Sequence, residues 1–271
     1  MAASTRFLCV VALGVLIWDA RTHSQGHDAA SVLAATREAL GGEKKLTEIH
    51  TFVASGRTRQ LRGNNLVPIE FEINCELPDR FVRKDEFPAQ DTDVTVSGFR
   101  GDELIAFPEP VAGRGGPPPP QRLVTAKQEF ARLMLGTFAS SFSSFPLTFK
   151  YAAEAEAPEG KADILDVNGP ANFAVRFVIQ RDTHLPVMVM WQAPAPSARG
   201  VRPGGAPPRG GEPVGPPPEN RLYFADYRDV KGIRWPFRIR RAVGGATIEE
   251  TAFDRVDVNV KIDPKRFEAP K

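Results

Sequence analysis

The chain has 271 residues, 42% of them hydrophobic, with 35 Lys and Arg against 33 Asp and Glu. That apolar content supports a real core in one large domain or two small ones. The charge balance lacks the basic excess of a nucleic-acid binder, so no nucleic-acid role is expected.

The first residues have the form of an export signal. Arg6 precedes an unbroken apolar run over 7–18, too short to span a bilayer. Thr22, His23 and Ser24 offer a cleavage site before Gln25. Residues 1–24 are therefore expected to be a cleaved signal peptide and 25–271 a single exported, periplasmic domain. Cys9 would leave with the leader, so no lipid anchor is expected through it. Cys75 would then stand alone, and its place on the apolar face of a strand predicts a buried small hydrophobe rather than a disulfide partner.

A helix is predicted over 28–40. Asp28 caps its start, Val32, Leu33 and Leu40 form its apolar stripe, and Gly41–Gly42 ends it. A short helical turn is expected over 43–49. Strands follow over 50–61, 67–77, 81–85, 93–99 and 104–107. The second has the clearest pattern, with Val67, Ile69, Phe71, Ile73, Cys75 and Leu77 alternating with Pro68, Glu70, Glu72, Asn74 and Glu76. One face is dry and the other anionic, as in an antiparallel sheet with one wet side.

Residues 108–121 are rich in Pro and Gly and read as an exposed loop. A central helix is predicted over 125–135. Phe138, Phe142, Phe145 and Phe149 then recur at helical spacing, and Pro146 should stop that helix near Ser144. Strands resume near 147 and over 162–167, 173–179 and 185–191, with short gaps that favour hairpins. Residues 192–219 are low in complexity and read as a disordered excursion. The closing strands are 222–227, 233–241 and 247–258, with a phase slip between Ile248 and Phe253 that predicts a bulge. In 233–240, Ile233, Trp235, Phe237 and Ile239 alternate with Arg234, Pro236, Arg238 and Arg240. Pro236 lacks an N–H, so this strand should be locally unpaired there or lie near an edge.

The fold class expected is mainly β with few helices: about ten strands in a curved antiparallel sheet or unclosed barrel. An N-terminal helix and a central helical segment would lid it. No phosphate loop or Gly-x-Ser-x-Gly elbow occurs, and no two histidines are spaced for zinc. A solvated charged face accounts for Glu70 and Glu72. No catalytic residue, metal or cofactor is expected, and the chain does not read as an enzyme. What remains is apolar surface, more than two short helices readily cover. The candidates for a ligand cavity are Phe71, Ile73, Phe173, Phe177, Phe224, Ile233, Trp235, Phe237 and Ile239. Phe130, Met134, Phe138 and Phe142 are the lid candidates. A closed sandwich, with these rows as ordinary core, fits the same pattern.

The segment 222–236, Leu-Tyr-Phe-Ala-Asp-Tyr-Arg-Asp-Val-Lys-Gly-Ile-Arg-Trp-Pro, is the most specific stretch. With the Leu40-Gly41-Gly42 helix end, the Thr183-His184-Leu185-Pro186 turn and Ile262-Asp263-Pro264, it resembles the lipoprotein-carrier superfamily with the LolA/LolB-like fold, especially its outer-membrane-lipoprotein-sorting-like members. The resemblance covers nearly the whole mature chain apart from the two Pro/Gly-rich inserts. It implies an unclosed antiparallel barrel lidded by helices, with an apolar interior able to take acyl chains. It transfers no site residue. The expected partners are lipid or lipoprotein acyl chains, bound by a monomer. The alternative is an envelope protein-interaction module with a filled core, whose partner is a protein.

Overall fold

The computed structural model describes residues 28–88, 94–109, 118–157, 160–192 and 218–269. The proposed signal peptide and the greater part of both inserts lie outside these residues.

Asp28 caps helix α1 (Ala29–Leu40), its Oδ1 accepting from the Ser31 N–H at 2.7 Å. Gly41 ends it with φ 134°. A Cβ there would lie 2.6 Å from the Gly232 carbonyl, so this glycine also lets the helix end rest against a strand. A short helix α2 (Glu43–Thr47) follows.

Strands β1 (Thr51–Arg62), β2 (Asn65–Glu76), β3 (Arg80–Glu86), β4 (Val94–Arg100) and β5 (Glu103–Phe107) form one meander. Helix α3 (Pro119–Phe138) comes next. A second meander runs through β6 (Thr148–Ala157), β7 (Gly160–Gly169), β8 (Phe173–Gln180), β9 (Pro186–Gln192), β10 (Glu219–Val230), β11 (Ile233–Val243) and β12 (Ala246–Val258). The two meanders join where β1 pairs with β12, from Phe52 opposite Val258 to Gln60 opposite Glu249. All twelve strands, against the ten or so expected, make one antiparallel unclosed sheet in the order β5-β4-β3-β2-β1-β12-β11-β10-β9-β8-β7-β6. The outermost strands are β5 and β6, the two that α3 connects. The helix therefore spans the gap that keeps the sheet from closing.

The period-two rows explain the curl. Phe52 and Ala54, Phe71, Ile73 and Cys75, Phe173, Val175, Phe177 and Ile179, and Trp235 all point into one buried cluster, where α1 and α3 add their apolar stripes. Cys75 is a buried free thiol, as expected, and burial pushes its pKa well above the ordinary range. A smaller cluster of Val82, Val96, Ile105 and Phe267 fills the other face near β3 to β5. Among the described residues no helix is long and apolar enough to cross a membrane.

Three local expectations change. The central helix starts at Pro119, inside the stretch read as loop, because proline is tolerated in the first helical turn. It stops at Phe138, where Ala139 adopts a left-handed conformation with φ 47°. The Phe142 and Phe145 spacing is therefore not helical; the two residues bridge each other in a tight turn. Pro236 is buried in a central strand, so of the two expectations there, a local break or an edge, the break is the one observed. Its missing N–H still shows in the ladder. Strand β11 pairs with β10 along its length, but with β12 only from Arg238 onward. The Lys231 ammonium, 3.0 Å from the Val258 carbonyl, serves a backbone group at this split. The bulge predicted in β12 is present: the register slips past Ile248 against β11 and past Asp254 against β1.

Gly136 sets how closely α3 approaches the sheet. A Cβ on it would fall 2.1 Å from the Phe224 ring. Gly136→Ala should therefore destabilise the fold by about 1–3 kcal/mol, the usual cost of overpacking, although alanine is the better helix former at an open site. Chemical denaturation of the two proteins checks this; a more stable variant would mean that α3 is not held against Phe224.

Candidate functional site

The inner face of the sheet and the underside of α3 meet in an aromatic layer. Trp235 is 0% exposed. Its ring lies 4.9 Å from Phe52, 5.8 Å from Phe138 on α3 and 6.2 Å from Phe253. Phe253 in turn meets Phe71 at 5.4 Å. Nearer β3 to β5, Phe130 of α3 sits 5.4 Å from both Phe81 and Phe99 and 5.9 Å from Phe142. Rings at these separations attract edge to face, beyond the gain from removing their area from water.

All nine residues named as cavity candidates belong to this one cluster: Phe71, Ile73, Phe173, Phe177, Phe224, Ile233, Trp235, Phe237 and Ile239 are each buried. Phe130, Met134 and Phe138 are buried on the inner side of α3. Phe142 is only partly buried and reaches the cluster from the turn after the helix. The structure thus brings the strand rows and the helical residues into contact, with α3 packed down on them.

One group was not singled out from the sequence. Arg241 follows Ile239 at period two and so turns inward with it, unlike Arg238 and Arg240. Across the interior it meets Glu129 of α3, Nη1 to Oε1 at 3.3 Å. Arg132, one helical turn along from Glu129, bonds the same carboxylate at 3.1 Å. Arg132 is only 6% exposed, and its guanidinium lies over the rings of Trp191 at 4.2 Å and Phe173 at 5.3 Å. The Glu129 side chain keeps 37% of its surface accessible. Burial works to raise its pKa, but Arg241, Arg132 and Arg83 outweigh this and hold it below the ordinary value. Burial likewise opposes the Arg241 charge, and Glu129 more than offsets it. The available signal was parity along 233–241, together with Glu129 and Arg132 at i, i+3.

Two further polar contacts tie α3 down. The Tyr227 hydroxyl lies 2.9 Å from the carbonyls of both Gly136 and Pro186. Arg37 of α1 donates from Nε to the Ala139 carbonyl at 3.1 Å. Three buried donors have no acceptor among the described residues: Trp235 Nε1, Arg132 Nε and Arg241 Nε. His184 is a turn residue with φ 55°. Among the described residues no group of three His, Cys, Asp or Glu could hold a metal ion.

No protein-family profile matches the sequence, and no curated protein matches it. Solved structures match the fold. An outer membrane lipoprotein-sorting protein domain from Vibrio parahaemolyticus aligns over 87% of this chain and 95% of its own, at 10% identity and TM-score 0.49. A DUF1329 family protein from Desulfovibrio piger aligns over 88% and 96%, at 8% identity and TM-score 0.48. A LolA superfamily protein from Nitrosomonas europaea aligns over 89% of this chain and 97% of its own, at 10% identity and TM-score 0.54. The chain therefore has the LolA-type fold: an unclosed antiparallel sheet with an N-terminal and a central helix.

Proposed function

We propose that this protein is a periplasmic, non-catalytic carrier or sensor. It takes the acyl chain of a lipid or acylated protein between the inner sheet face and α3. The observation that carries this reading is the placement of α3. It connects the two edge strands, and it rests on an aromatic layer with no backbone-to-backbone hydrogen bond to a strand among the described residues. Lifting it would expose Trp235, Phe52, Phe71 and Phe253 as a continuous apolar floor. An acyl chain restores the lost burial: each CH₂ contributes about 0.8 kcal/mol, so a 14-carbon chain gains on the order of 10 kcal/mol before ordering costs.

The unpaired polar atoms support the same reading. All three are donors. Leaving a buried donor unmade costs roughly 1–3 kcal/mol. An ester or carboxylate oxygen supplies the acceptors this interior lacks. The packed interior also fits the second reading, an interaction module that recognises a protein and holds no lipid.

Lipid extracted from gently purified protein and identified by mass spectrometry separates the two. The carrier reading expects an acyl-bearing species at near-stoichiometric amounts. Repeated absence of lipid, with no uptake of added long-chain fatty acid, would leave the interaction module.

The ion cluster makes docking of α3 dependent on pH. The Glu129 pKa is lowered in the folded protein. Its contribution is therefore complete above the ordinary glutamate range and fades as pH falls through the lowered value. Glu129→Gln should cost roughly 1–3 kcal/mol at neutral pH. That is less than the full loss for a buried pair, because the carboxylate is partly solvated. The variant should also flatten the acid limb of the stability profile. Urea denaturation at several pH values tests this, and parallel acid limbs in the two proteins would contradict the assignment.

A further inference from the structure

The outer face of the sheet has a concavity of its own. A groove of roughly 840 Å³ crosses it, lined from β1, β12, β11, β10, β9, β8 and β7. That volume lies within the range of small-molecule sites. At one end the register sets two rows side by side. Arg57, Ala252 and Arg238 are cross-strand neighbours, as are Arg59, Glu250 and Arg240. With strands about 4.8 Å apart and alternate residues about 7 Å apart, the four guanidiniums stem from a patch of roughly 7 by 10 Å. Ala252 leaves the space between Arg57 and Arg238 open. Arg57 is bonded to Asp254 at 3.2 Å, and Arg240 stacks on Tyr223 at 4.1 Å. Arg59 and Arg238 have no side-chain hydrogen bond or ion pair among the described residues, and both are exposed.

Beyond the arginines the groove turns apolar. Tyr223, Met188 and Val178 follow one another across β10, β9 and β8. Val178 and the nearby Ala162 are buried at this apolar end. Lys161 stands at the far end.

We propose that this groove binds a phosphorylated single-chain amphiphile, with its phosphate on the arginine patch and its tail along Tyr223, Met188 and Val178. Charge complementarity and the polar-to-apolar gradient carry the assignment. Guanidinium forks match phosphate oxygens in pairs. An acidic peptide fits less well: every strand lining the groove has a neighbour on each side in the sheet, and the arginine rows lie where β1, β12 and β11 are in paired register, so no strand edge is open there to a peptide main chain. The chain's own insert over 193–217 has the wrong sign, with Arg199, Arg202 and Arg209 against Glu212.

Calorimetric titration of the full mature chain with octyl phosphate, inorganic phosphate, octanol and a hexaglutamate peptide tests the proposal. Octyl phosphate should bind most tightly, and added salt should weaken it. R59A/R238A should bind octyl phosphate at least about tenfold more weakly, since each charge-assisted bond to phosphate contributes on that scale. Unchanged thermal unfolding would show that the variant is intact. R176A, altered on the outer face but outside the groove, should bind like the parent. Undiminished binding in an intact R59A/R238A would place the amphiphile elsewhere, the interior included, and overturn the groove assignment. Equal affinity for inorganic phosphate would make this a free-anion site, and tighter hexaglutamate binding would make it a peptide site. Either result, or no binding of octyl phosphate at all, overturns the proposal.

Discussion

An unclosed sheet has two free edges, and here one chain segment must travel between them. That segment is α3. The sheet presents a dry inner face that water must not reach. The helix that bridges β5 to β6 is also the element that covers this face. Connection and cover are the same twenty residues. Each aromatic side chain buried there removes about 150–250 Å² from water, on the order of 4–6 kcal/mol of transfer free energy. Sheet and helix each lack a core alone, and together they share one.

The junction combines two different kinds of contact. At Gly136 the helix backbone comes against the Phe224 ring, so the fit there is set by shape and tolerates no added methyl group. At Glu129 the contact is ionic: one carboxylate stands between Arg132 and Arg241. A partly buried ion cluster rarely adds much net stability over apolar packing, because desolvation offsets the attraction. Its value lies in fixing one helix position, and in being sensitive to a change of charge. Such a junction holds α3 in register on the sheet.

The two faces of the sheet offer different chemistry. Inside, aromatic rings and orphaned donors lie beneath a helix. Outside, arginines converge on an alanine floor that runs into an apolar trough. Both surfaces come from the same strands, since alternate residues of β1, β10 and β11 serve opposite faces. Ile239 and Phe224 belong to the inner cluster and also border the outer groove, so the two surfaces are one strand thickness apart.

Local physics made much of this legible in the residues alone. Alternation in 67–77 and 233–240 marked strands with one dry face. Asp28 and Gly41 bounded a helix, and Ile248 marked a bulge. Each of these depends on neighbours in sequence, whose spacing is fixed by the period of the backbone. Even the inward turn of Arg241 was implied by parity with Trp235, though not its partner. The fate of the apolar rows was not legible. Whether Trp235 faces a void or a packed ring depends on where a helix some hundred residues earlier comes to rest, and sequence spacing does not encode that distance. Pro236 makes the same point in miniature. Its missing N–H predicted a break in the ladder, but only the assembled sheet placed that break inside the sheet, between β11 and β12. The outer groove is tertiary throughout. Arg57 and Arg238 stand 181 positions apart in the chain, and a strand register of two steps makes them neighbours.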